Sequence, residues 1–82
     1  MSLSYTEHAI ARLAKRQLKA EWVERIVARP DRTEPDPSNI KLQHCIGVLP
    51  ELENRVLRVI VSKDEPRRVI TAYLDRKMKD KL

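Results

Sequence analysis

From Arg55 to Leu74 the chain carries two runs rich in β-branched residues, Arg55 to Lys63 and Arg68 to Leu74. Asp64 to Arg67 lies between them, with Pro66 in a place that suits neither a helix interior nor a central strand. The pattern predicts a β-hairpin. Side chains alternate across a strand, so Leu57, Val59 and Val61 share one face, while Val56, Arg58 and Ile60 share the other. In the second run Ile70, Ala72 and Leu74 form the apolar set, and Val69, Thr71, Tyr73 and Asp75 the mixed one. Joining the two apolar sets sets Val61 opposite Ile70, Val59 opposite Ala72 and Leu57 opposite Leu74, closed by a four-residue loop. Arg58 then lies opposite Tyr73, and Ile60 opposite Thr71, on the face away from the core.

Upstream, the period changes to that of a helix. Ser4 with Glu7 three residues on matches a capping box, with Thr6 as the alternative cap, and the helix extends to about Gln17. Ala9, Ile10, Leu13 and Ala14 fall on one side of its wheel; His8, Arg12, Lys15, Arg16 and Lys19 gather on the other. A second helix is expected over about Ala20 to Ala28, with Trp22, Val23, Ile26 and Val27 inward, ended by Arg29-Pro30. Pro30 to Asn39 is a proline-rich connector in which Asp31 to Glu34 suits a short edge strand. Ile40 to Leu49 alternates as a strand. Ile40, Leu42, His44, Ile46 and Val48 share one face, Lys41, Gln43, Cys45 and Gly47 the other, so His44 reads as a core histidine. Gly47, the single glycine, implies a bulge or a close approach by another backbone or a ligand. Arg76 to Leu82 is a Lys-rich tail suited to a short, frayed helix.

Helices followed by a strand meander predict an α+β fold, with an N-terminal αα-hairpin packed on one face of a three- to four-stranded antiparallel sheet. The other sheet face is expected to be open. All 82 residues form a single domain, and no repeat or second unit is visible.

Composition narrows the setting. No stretch approaches the ~20 apolar residues of a membrane span, and no signal-peptide core is visible at the N-terminus. Cys45 is the only cysteine, which excludes an intrachain disulfide and a cysteine-based zinc site; a reducing, cytoplasmic setting is the expectation. The net charge of +5 is uneven: residues 1–29 carry six basic and three acidic side chains, 30–54 two and five, and 55–82 nine and four. A basic helix, sheet and tail suit a polyanionic partner, although solubility alone also accounts for the charge.

His8-Ala9, Arg12, Arg16, Leu18, Val23 and Pro30, with Leu57 to Val61 and Val69 to Tyr73, resemble a bacterial family of unknown function allied to the RelE/ParE toxin superfamily and near BrnT-like toxins. The resemblance covers nearly the whole chain. It implies a RelE/ParE-like fold and a toxin-antitoxin toxin acting as a metal-independent endoribonuclease, with attack by the RNA 2′-hydroxyl. A small acidic antitoxin protein would cover the open face. The alternative is a non-catalytic nucleic-acid- or protein-binding module. Such cleavage needs a base, a cation for the phosphorane and an acid for the leaving oxygen, and it uses neither metal nor cofactor. Arg58, His8 and Tyr73 are the catalytic candidates; Arg12, Arg16, Thr71 and Arg76 are the candidates for binding RNA. Cross-strand packing explains Tyr73 and Thr71 equally well, and Arg12 and Arg16 could instead brace the helix against the sheet edge or pair with Asp75. Cys45 has no basic neighbour in sequence and is given no chemical role.

Overall fold

The computed structural model describes residues 3–82. Strand β1 (Ser4–Tyr5) leads into helices α1 (Glu7–Arg16) and α2 (Ala20–Ala28), followed by strands β2 (Arg32–Pro35), β3 (Leu42–Leu49), β4 (Arg55–Ser62) and β5 (Arg68–Leu74). Single 3-10 turns occupy Pro50–Leu52 and Arg76–Met78. The sheet order is β1-β5-β4-β3-β2. β2 to β5 form an antiparallel meander, and β1 adds to β5 in parallel. The fold is α+β with both helices on one face, but the sheet is five-stranded and mixed, not a three- to four-stranded antiparallel one. Ser4 is the reason: it enters the sheet edge, its N–H donating to the Arg67 carbonyl at 3.0 Å. Thr6 therefore caps α1, with Oγ1 accepting from the Ala9 N–H at 3.0 Å.

α1 ends because Gln17 turns into the left-handed region at φ 56°. The Leu18 N–H returns to the Leu13 carbonyl at 2.9 Å and that of Gln17 to Ala14 at 3.2 Å, the Schellman pattern, with Leu13 and Leu18 both buried. α2 spans Ala20–Ala28, as its wheel predicts. Ala9, Leu13, Leu18, Trp22, Val23, Ile26 and Val27 of the helical layer meet Cys45, Leu49, Leu57, Val59, Val61, Val69 and Ala72 of the sheet. Ile10 is not among them. It is 57% exposed, because α1 is rotated so that Ala9 and Leu13 point inward, with half-buried Arg12 beside them.

The hairpin pairs Leu57 with Leu74, Arg58 with Tyr73, Val59 with Ala72 and Ile60 with Thr71. Beyond Ile60 the register shifts: Val61 lies opposite Val69, and Ile70 is the extra residue of a bulge. Val69 thus takes the core place expected of Ile70, and the connecting loop, residues 63–67, is one residue longer than expected.

β3 alternates as expected, but its faces are exchanged. Cys45 pairs with Val59 and Gly47 with Leu57, so Gln43, Cys45, Gly47 and Leu49 look toward the helices. Leu42, His44, Ile46 and Val48 share the Arg58 face, and Ile40 precedes the strand at 84% exposed. Gly47 marks neither a bulge nor a neighbouring backbone or ligand, but a close side chain: a Cβ there would run into Ile26 Cδ1, and Ile26 is only 3% exposed. Gly47→Ala is expected to destabilise the domain by about 1–3 kcal/mol through overpacking. An unchanged urea midpoint would show that α2 yields freely at this point.

Candidate nucleic-acid interface

The face away from the helices is closed by a polar network, not left open. Arg58, on the central strand β4, is 9% exposed. Its Nε donates to Asp75 Oδ2 at 2.8 Å, and Nη1 donates to Glu34 Oε1 at 3.1 Å. Nη1 also lies 2.8 Å from His44 Nδ1, and His44 Nε2 lies 2.7 Å from Asp36 Oδ1. A guanidinium can only donate, so His44 Nδ1 accepts and Nε2–H donates to Asp36. One side chain thereby links β2, β3, β4 and the segment after β5. Burial pulls the Arg58 guanidinium downward, but hydrogen bonds to Asp75 and Glu34 more than offset it, so it titrates above its ordinary value.

Asp36 is held below its ordinary 3.8, first by the His44 hydrogen bond and then by the Ser38 N–H. The folded chain therefore binds fewer protons than the unfolded one in acid. Stability from Asp36 is complete above the unfolded value and declines as the pH falls through the lower folded one. Asp36→Asn should flatten acid unfolding below about pH 4, the ordinary carboxylate range; acid-unfolding curves parallel to wild type would exclude this role.

The residues expected at the site divide into groups. Arg58 and Tyr73 are cross-strand neighbours, and half-buried Thr71 shares their face. Arg58 already spends Nε and Nη1 on Asp75, Glu34 and His44, which leaves Nη2 alone without a partner among the described residues, so most of the fork expected to clamp a phosphate is engaged within the protein. His8 is exposed on α1, on the far side of the sheet from Arg58, so the expected catalytic set is not brought together. Its Nε2 accepts from Arg12 Nε at 3.4 Å. Arg16 Nη1 donates to the Ala72 carbonyl at 2.7 Å and so braces α1 on the outer edge of β5. Thr6 Oγ1 donates to the Ile70 carbonyl at 3.4 Å on that edge. Arg76 is exposed in the 3-10 turn after β5. Cys45 is 1% exposed, and burial pushes its thiol up against the pull of Arg67.

α1 thus runs along the β5 edge and carries Arg12, Lys15 and Arg16; Lys19, expected on the same helix, falls beyond the Gln17 break as the N-cap of α2. The ion pairs among the described residues join Arg25 to Glu51, Arg32 to Glu34, Arg58 to Glu34 and Asp75, and His44 to Asp36; none includes a cation of α1. Lys19 lies instead over the Trp22 ring, 5.6 Å from its centroid. Sequence reasoning missed the partners of Arg58. Asp75 was visible on its face by alternation, but Glu34, Asp36 and His44 reach it only through strand pairing. Among the described residues no three His, Cys, Asp or Glu side chains converge as metal ligands, and no helix is long and apolar enough to cross a membrane.

Fold and surface together define a small α+β domain with a basic helix along one sheet edge and a neutralised arginine beneath the other face. The chain belongs to the family described as "Domain of unknown function (DUF4258)", whose model matches residues 5–74. No curated protein and no solved structure matches it.

Proposed function

We propose that the chain is an RNA-binding domain of the toxin type, which grips the phosphate backbone with the basic side of α1 along the β5 edge. The carrying observation is that Arg12, Lys15 and Arg16 lie on one helix, with Lys19 just beyond it at the N-cap of α2, all outside every ion pair among the described residues. Unpaired cations release counterions on meeting phosphates, which drives sequence-independent binding. Thr71 and Tyr73 lie with Arg58 on the opposite sheet face, so this grip rests on the cations and not on stacking. The natural partner protein is an acidic antitoxin, since opposite charge steers association onto this surface.

A second reading, a RelE/ParE-like metal-independent endoribonuclease, is favoured by the His8–Arg12 pair. His8 Nε2 accepts from Arg12 Nε at 3.4 Å, so its lone pair would have to leave that contact to take the 2′-hydroxyl proton, and the released guanidinium would then face the phosphorane charge. Arg58 is not required for that chemistry.

Incubation of the purified chain with RNA in EDTA separates the two readings. Cleavage that leaves 2′,3′-cyclic ends and falls about 100-fold in His8→Ala, with binding retained, establishes the nuclease. Salt-dependent binding without turnover establishes the binding module. A chain that neither binds nor cleaves RNA defeats both.

A further inference from the structure

At the end of the sheet where β4 begins and β5 stops, a cavity of about 40 Å³ is lined by Arg55, Val56, Leu74, Asp75, Arg76 and Lys79. Its floor is apolar and its rim carries three cations. None of these cations enters an ion pair among the described residues. The one acid on the rim is occupied: Asp75 Oδ2 accepts from Arg58 at 2.8 Å and Oδ1 from the Lys77 N–H at 3.1 Å. The lining residues therefore carry three unpaired cations against one aspartate that is already engaged. Its volume holds roughly three waters, the number that the terminal oxygens of one phosphate group would displace.

We propose that this cavity binds a terminal phosphate monoester of an RNA chain, a proposal that rests on the RNA-binding reading above. Charge and shape choose the terminal group over an internal one. An internal diester has a single charge and a chain leaving on both sides, whereas a monoester brings between one and two negative charges and can enter a pocket end-on. α1 runs along β5 in the same sense, from Thr6 at Ile70 to Arg16 at Ala72, and the cavity lies just past Leu74 at the end of the same strand.

The test uses the full chain and one oligoribonucleotide in three forms: 5′-phosphorylated, 3′-phosphorylated and hydroxyl-ended. One phosphorylated form should bind about tenfold more tightly than the hydroxyl-ended form, about the worth of one charge-assisted hydrogen bond; which one identifies the end. Arg55→Gln/Lys79→Gln should bring that ratio close to one, and Lys79→Gln alone should lower it. Arg12→Ala/Lys15→Ala should weaken all three forms and preserve the ratio. Equal affinity of wild type for all three forms overturns the cavity proposal while leaving the backbone reading in place. If no form binds, the backbone reading fails, and a chemical-shift titration with a nucleoside monophosphate decides the cavity alone. Shifts at the Val56, Leu74 and Lys79 amides that the bare nucleoside does not produce support it; their absence overturns it.

Discussion

Arg58→Ala is expected to cost the domain about 3 kcal/mol or more, the range for removing one member of a buried ion pair. The reason is what stays behind. Asp75 loses its Nε donor, Glu34 loses Nη1, and His44 Nδ1 is left facing a gap while Nε2 remains on Asp36. Asp75 and His44 are mostly buried, so water does little to replace the lost guanidinium. For a chain of this size the urea midpoint should fall by roughly 2 M. Arg58→Ala/Asp75→Ala should be less destabilised than the sum of the single variants, because the orphaned carboxylate has also gone. A variant that keeps the wild-type midpoint yet loses RNA binding would restore Arg58 to the role its position on the strand first implied, a free phosphate clamp.

The second large effect lies on α1 and on Lys19, just past its end. Arg12→Ala/Lys15→Ala/Lys19→Ala should fold normally, since Lys15 and Lys19 are exposed, Arg12 is half-buried and none pairs with a carboxylate among the described residues. Each phosphate contact on a single strand adds about 0.7 to the slope of log affinity against log salt. The triple variant should therefore lower that slope by about 2, and its binding should be weakest relative to wild type at low salt. Arg16 is kept in this design because its guanidinium holds the Ala72 carbonyl, and its loss would mix bracing with binding. A slope identical to wild type would remove α1 from the interface and with it the proposed function.

Several elements of this protein were settled by local pattern. α2 occupies the span its wheel predicts, and the central pairs of the β4–β5 hairpin follow from matching apolar faces. A one-residue slip there would turn every apolar side chain outward, so the pairing of Leu57 with Leu74 and of Arg58 with Tyr73 is legible from the residues alone. The slip that does occur, at Ile70, lies next to the turn, where a bulge can exchange Val69 for Ile70 at little cost to the rest of the ladder. Arg12 and Arg16 were likewise visible as one edge of a helix, but that Arg16 would grip a β5 carbonyl depended on where α1 docks.

β3 shows where local pattern stops. Three of its larger apolar residues, Leu42, Ile46 and Val48, lie on the face away from the helices, and the helix side takes Gln43, Cys45, Gly47 and Leu49. Both faces are buried: Ile46 and Val56 are 0% and 1% exposed on a side expected to be open. Alternation shows that a strand has two faces but not which one meets the helices. Here the choice fell to the pairing of Cys45 with Val59 and to Ile26, which needs a site without a Cβ. The Arg58 network was hidden for the same reason. Glu34, Asp36, His44 and Asp75 stand 24, 22, 14 and 17 positions from Arg58 in the chain, and only the sheet brings them within reach of one guanidinium. Residue type and period determined the helices, the hairpin and the basic edge, because these depend on neighbours a few positions away. The buried charge and the orientation of β3 were decided by tertiary structure, because both depend on which strands lie side by side.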